Sequence, residues 1–180
     1  AGAGALCCLK AAATDPHRRL APARAASVVM ADGGEPVDDL AGERTLILVP
    51  DPRRYFIRAF QHLIGIEPPQ EPGIHPGAHV HPEAEIAPEA SVGPGAAIEA
   101  GVSVGPGCVI HGGARLYSGT RIGARVVVQA NTVLGAVGQS YERDDDGEFL
   151  LMPHFAGIRI GDDARIGANS TIVRGTLQDT

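Results

Sequence analysis

The chain is 180 residues long and 44% hydrophobic but only 4% aromatic, with a formal net charge of −6, which allows one domain and a smaller companion. Residues 68–180 carry seven basic and thirteen acidic side chains, so there is no basic stripe for nucleic acid, and no apolar run reaches the ~18 residues of a membrane span. Three cysteines, with Cys7 and Cys8 adjacent, make no disulfide framework and suit a reducing cytoplasm.

Residues 1–67 read as a small α/β unit. The start, Ala1-Gly-Ala-Gly4, lacks the charged lead of a signal peptide and reads as a trimmed end. A strand is expected over Ala26–Met30, with turn chemistry at Asp32-Gly-Gly34. Thr45–Val49 predicts a second, buried strand. Asp51 then caps a helix with Pro52 at its first position. Phe56, Ala59, Phe60 and Leu63 form its apolar face, and Gly65 and Pro68-Pro69 stop it. Glu67 to Gly73 is the linker.

From Ile74 every sixth residue to Leu134 is aliphatic: Val80, Ile86, Val92, Ile98, Val104, Ile110, Leu116, Ile122 and Val128 lie between. Neither a helix nor a strand has a period of six. Four places after each aliphatic residue sits a small one, among them Ala78, Ala84, Cys108 and Thr132. Proline and glycine occupy the bends between, at positions such as Pro76, Pro94, Gly95 and Gly107. Such a short internal repeat predicts a parallel β-helix, three hexads to the coil, over residues 68–180. Cys108 falls on the small-residue track and reads as a core residue rather than a nucleophile.

The sixfold phase breaks after Leu134 and resumes at Ile160, Ile166 and Ile172. Residues 135–157 are therefore an excursion from the coil. Within it, Asp144-Asp-Asp-Gly147 lies between Tyr141-Glu-Arg143 and Glu148-Phe-Leu-Leu151, a hairpin signal. Loops thrown out from a regular scaffold commonly carry function, which makes this one the best local candidate for a ligand contact. The coil pattern is unfinished at Thr180, so further coils and a cap are expected beyond it.

The run Gly157-Ile-Arg-Ile-Gly-Asp-Asp-Ala-Arg-Ile-Gly-Ala-Asn-Ser-Thr-Ile-Val-Arg-Gly-Thr-Leu-Gln-Asp-Thr180 resembles a signature of the UDP-3-O-acylglucosamine N-acyltransferases of lipid A synthesis. The excursion Gly135-Ala-Val-Gly…Tyr141…Pro153 is similar to theirs, although Gly138-Gln-Ser-Tyr141 replaces their usual Gly-Phe-Gly-Tyr. Residues 25–30 and 46–52 resemble the same family's uridine-binding domain, without a match for its uracil contacts. The resemblance implies left-handed β-helices in a cytoplasmic homotrimer. It implies transfer of a 3-hydroxyacyl chain from acyl carrier protein to the 2-amine of a UDP-sugar, with no cofactor and no metal. The general-base histidine it implies falls about one coil beyond Thr180. A sugar-nucleotide N-acetyltransferase using acetyl-CoA, or a non-catalytic trimeric scaffold, would use the same prism.

Four residues follow as substrate-binding candidates. Tyr141 could stack on a sugar or nucleotide, or pack the hairpin. His154 stands at the return of the excursion. Arg174 and Asp179 belong to the family run, where Arg174 could equally brace the coil. His75, His79 and His81 crowd the first coil and read as surface residues rather than a metal set. His111 sits at a corner. Arg115, Arg121, Arg159 and Arg165 share the slot before the aliphatic residue and face out, where an acidic carrier protein could meet them.

Overall fold

The computed structural model describes residues 6–8, 27–31, 45–64 and 70–180. The chain divides into two compact units, Ala1–Pro68 and Pro69–Thr180.

In the first unit, β1 (Leu6–Cys8), β2 (Ser27–Ala31) and β3 (Thr45–Val49) form a parallel sheet in that order. Strand β1 is too short to show a period in the sequence. Helix α1 (Pro52–Ile64) follows, and its first turn is capped where expected: the Arg54 N–H donates to Asp51 Oδ1 at 3.0 Å. Two expectations need correction. Strand β3 is not wholly buried, since Leu48 is 54% exposed on this end strand of the sheet. The apolar face of α1 is narrower than its sequence suggests. Phe56 and Phe60 stack at 4.6 Å between ring centroids, but Leu63 in the last turn is 74% exposed. The turn at Asp32 and the stop signals at Gly65 and Pro68-Pro69 lie outside the described residues.

The second unit is a left-handed parallel β-helix. Its first face stacks β4 (Gly73–Ile74), β7 (Ser91–Val92), β10 (Val109–Ile110), β13 (Val127–Val128) and β18 (Arg165–Ile166). The second stacks β5 (His79–Val80), β8 (Ala97–Ile98), β11 (Arg115–Leu116), β14 (Val133–Ala136) and β19 (Thr171–Val173). The third stacks β6 (Glu85–Ile86), β9 (Ser103–Val104), β12 (Thr120–Ile122) and β17 (Ile158–Ile160). Register sets like on like, one coil apart: Ile74 pairs with Val92, Ile110 with Val92 and Val128, and Leu116 with Ile98 and Leu134.

Each aliphatic residue therefore points down the bore. Ile110, Leu116, Val128 and Leu134 are at most 1% exposed. The small track is buried with them at Ala96, Cys108, Ala114 and Val126. Cys108 donates its S–H to the Gly123 carbonyl at 3.0 Å, and burial pushes its thiol up, away from the thiolate a nucleophile needs. Thr120 and Thr132 are the polar members of the track. Their hydroxyls donate to the carbonyls of Tyr117 at 2.6 Å and Gly167 at 2.8 Å, so no buried hydroxyl goes unmatched there. Ile74, on the first coil with no coil before it, is 50% exposed.

The bends need left-handed backbone. Gly95, Gly101, Gly107, Gly113 and Gly119 supply it at φ between 67° and 83°, and Arg125, Asn131, Asp163 and Asn169 continue the same slot at φ 56° to 59°. Such a conformation costs a non-glycine residue about 1–2 kcal/mol. Side chains in this column are used across coils. Arg125 grips Asp163 through two bonds of 2.7 Å, and Asp162 Oδ1 accepts the Ala124 N–H at 2.8 Å.

Two outcomes are expected. Leu116→Ala should lower unfolding free energy by about 3 kcal/mol in chemical denaturation, because the closed bore cannot collapse around the loss. The Arg125 guanidinium holds the Asp163 carboxyl below its ordinary 3.8. A depressed carboxylate adds stability above its unfolded value, and that contribution is lost as pH falls through the folded one. Thermal melts from pH 6 to pH 2 should thus fall less steeply below pH 4 for Asp163→Asn than for the wild type.

Candidate functional site

The excursion leaves at the end of β14 and returns at β17, at the corner between the second and third faces. Ile122 pairs directly with Ile160, just as it pairs with Val104 on its other side, so the insertion costs the stack no register. Both roots are closely fitted. Gly135 is buried at φ 79°, and a Cβ there would press on Thr120 Oγ1, with the Tyr117 carbonyl at 3.3 Å. At Gly157 a Cβ would run into the Gly119 carbonyl.

Arg174 and Asp179 bracket these roots. The Arg174 Nε donates to the Gly135 carbonyl at 2.8 Å, and its Nη2 to the Ser118 carbonyl at 2.6 Å. Asp179 Oδ1 accepts the Gly157 N–H at 2.9 Å, and Oδ2 meets Arg159 at 3.3 Å. The Gly157 N–H, first, and then Arg159 hold the Asp179 carboxyl below its ordinary range. Residues 174–180 are laid along the returning strand, with the Phe155 N–H donating to the Thr176 carbonyl at 2.9 Å and the Gly175 N–H to Gly157 at 3.0 Å. Arg174 therefore makes the bracing contacts, to carbonyls rather than to a carboxylate.

His154 lies against the outgoing limb. A Cβ at Gly138 would sit 2.8 Å from His154 Nε2 and 3.3 Å from a Val173 methyl. The ring is partly buried, and its Nδ1 is enclosed without a hydrogen-bond partner. Among the described residues, His111 Nε2 is the other enclosed side-chain nitrogen without one.

Beyond the roots the loop forms an antiparallel hairpin, β15 (Tyr141–Arg143) and β16 (Phe149–Leu151), with Tyr141 opposite Leu151. Asp144 closes its tip. The side chain accepts the N–H groups of Asp146 at 3.1 Å and Glu148 at 2.9 Å, and Gly147 turns at φ 82°. The Arg143 guanidinium rests 4.1 Å over the Phe149 ring. Tyr141 meets the edge of Phe149 at 5.9 Å and is 50% exposed. The structure thus gathers His154, Arg174 and Asp179 about the roots, while Tyr141 stands out on the hairpin.

Below the excursion, on the same corner, runs an open groove of about 720 Å³. Ala78, Ala97 and Ala100 floor it, and His79, His81, Glu99 and Ser118 supply its polar atoms. Glu99 accepts the Ser118 N–H at 3.0 Å, and the Ser118 carbonyl is already held by Arg174. His81 Nδ1 accepts the Glu83 N–H at 3.1 Å, so the neutral ring carries its proton on Nε2. Glu99 and Ser118 escape a reading of the sequence alone. Their signal was the coil repeat, since Glu99 lies one coil after His81 and Ser118 opens the next turn of the same corner. Among the described residues no three potential ligands converge on a metal. His75 instead accepts the Gly77 N–H, and Arg115 and Arg121 are exposed. No helix among the described residues is long and apolar enough to cross a membrane.

Two family models match this architecture: bacterial transferase hexapeptide (six repeats) over residues 101–136, and hexapeptide repeat of succinyl-transferase over residues 157–177. The prism is thus built of hexapeptide repeats of the bacterial transferase type. A UDP-3-O-acylglucosamine N-acyltransferase from Chlorobium luteolum is 45% identical over 56 residues, which is 31% of this chain and 16% of that protein. One from Coxiella burnetii is 43% identical over 58 residues, 32% of this chain and 17% of that protein. The resemblance to the UDP-3-O-acylglucosamine N-acyltransferase family is borne out by these relatives, of whose length the matches span about a sixth. Among solved structures, LpxA from Acinetobacter baumannii is 28% identical at a TM-score of 0.49, over 58% of this chain and 37% of that one.

If the brackets position the loop, Arg174→Ala should leave the buried Gly135 carbonyl unmatched and cost about 1–3 kcal/mol. Hydrogen exchange should then quicken across residues 136–157 while the amides of coils two and three keep their protection.

Proposed function

We propose that the chain works in an N-acyltransferase that moves a 3-hydroxyacyl group from acyl carrier protein to the 2-amine of a UDP-bound, O-acylated glucosamine. One observation carries this reading. The hexad prism interrupted by a bracketed corner loop is joined to 45% and 43% identity, over 31% and 32% of the chain, with relatives named UDP-3-O-acylglucosamine N-acyltransferase. The setting we propose is a cytoplasmic homotrimer.

The chemistry is direct. The neutral amine nitrogen attacks the thioester carbonyl carbon, an N–C bond forms, and the C–S bond breaks. A base takes the amine proton, and the carrier thiol leaves protonated. The resemblance assigns that base to a histidine beyond Thr180. Within residues 135–180 the proposed substrate contacts are Tyr141, whose ring is half exposed, and His154, whose partly buried ring stands at the return of the loop. Arg174 and Asp179 spend most of their polar atoms on the loop roots, so their proposed part in substrate binding is to hold the loop in place.

The intact gene product, given a 3-hydroxyacyl-carrier thioester and the UDP-sugar, should form an amide that mass spectrometry detects. Acetyl-CoA should not serve. His154→Ala should raise KM about tenfold, the size of one lost hydrogen bond. Failure with every acyl-carrier donor would remove the proposal.

A further inference from the structure

Helix α1 carries a charge pattern that its own folding opposes. Over Pro52–Ile64 it holds Arg53, Arg54 and Arg58 and no acidic residue. Arg53 and Arg54 stand in the first turn, at the positive end of the helix dipole, where a cation is unfavourable. Arg54 and Arg58 are four residues apart, a like-charge pair on neighbouring turns that also weakens the helix. Asp51 offsets part of this by capping the helix and meeting Arg54 Nε at 3.5 Å, but both side chains of that pair are exposed and water screens them. Arg53 and Arg58 are exposed and in no ion pair among the described residues. The pattern is one that an anion from outside the unit would relieve.

The helical period sorts these side chains into strips about 100° apart. Pro52, Phe56 and Ala59 form the strip turned to the sheet and are the least exposed residues of the helix. Arg53, Ile57 and Phe60 form the next strip, with Ile57 46% and Phe60 39% exposed. Arg54, Arg58 and Gln61 form the strip beyond it, all exposed. An open hollow of about 320 Å³ runs between these two outer strips. Ile57 is the one apolar side chain on its lining, among three arginines, Gln61 and Asp51.

The two strips together say what the anion belongs to. A small phosphate ion would neutralise the arginines and leave Ile57 and Phe60 in water. A protein partner needs a shaped recess for its apolar anchors, and this hollow is walled by cations. A lipid surface needs no such fit: aliphatic and aromatic side chains enter the acyl boundary, and arginine stems reach back to the headgroup phosphates. We infer that α1 rests on an anionic bilayer surface, with Ile57 and Phe60 in the boundary between headgroups and acyl chains and Arg53, Arg54 and Arg58 on lipid phosphates. The surface goes beyond acyl transfer and is measured without substrate, so failure of either reading leaves the other standing.

Flotation of the 180-residue chain with lipid vesicles tests it. Vesicles of phosphatidylglycerol and phosphatidylcholine should carry the chain, pure phosphatidylcholine vesicles at least tenfold less, and raising salt to about 0.5 M should release it. Arg53→Gln with Arg58→Gln should weaken binding at least tenfold. Ile57→Ser should weaken it severalfold. These side chains are exposed, so circular dichroism and the melting temperature should hold. The chain has no tryptophan, so Ile57→Trp supplies a single reporter. Its emission should shift to the blue on the anionic vesicles and stay unchanged with inorganic phosphate. A wild type that does not float would overturn the inference. Flotation that the arginine and isoleucine variants preserve, or that leaves the Ile57→Trp emission unmoved, would put the contact elsewhere and also overturn it. Binding of an acidic carrier protein through Arg53 and Arg58, without flotation, would give this face to that protein instead of a bilayer.

Discussion

The bore of the prism is the constraint on which everything else hangs. Three short strands close a coil, and each coil lays one aliphatic side chain per face on the side chain of the coil before it. Each strand pairs with the strand one coil earlier in the chain, and across the excursion Ile160 still finds Ile122. The side chains of the small track fit only because they are small or, at Thr120 and Thr132, because a carbonyl is within reach. The same rule leaves the corners as the places where the chain is free to change.

The candidate site collects at one such corner. The excursion is thrown out where the second face gives way to the third, and later sequence turns back to hold it. Arg174 fixes the outgoing root through two carbonyls, and Asp179 fixes the returning root through an N–H. Both residues lie far along the chain from the first groove residues, yet Arg174 also holds the carbonyl of Ser118, which lines that groove. Loop, brackets and groove are thus parts of one edge, linked through short hydrogen bonds rather than through proximity in sequence.

Much of this was legible from residue types alone. A six-residue period has few physical solutions, and Ile74 to Leu134 admits the β-helix because aliphatic, small and turn residues recur in step. The hairpin could be read from Asp144 to Gly147, and the helix from Asp51-Pro52. What sequence concealed were contacts that cross coils. Nothing local marks Glu99 as the acceptor of the Ser118 N–H, or Gly138 as the seat of His154. In the first unit, patterning overstated burial at Leu48 and Leu63, because apolar content says what a strand or helix offers and not what lies across from it.

Ile122 and Ile160 pair as neighbours in an uninterrupted coil would, so the stack does not register how much chain passes between Gly135 and Gly157. The length and content of that stretch are therefore open to drift, or to replacement by a graft, as long as the two glycines and their brackets stay. A scaffold of this kind can trade one recognition element for another at a single edge while its backbone scarcely moves.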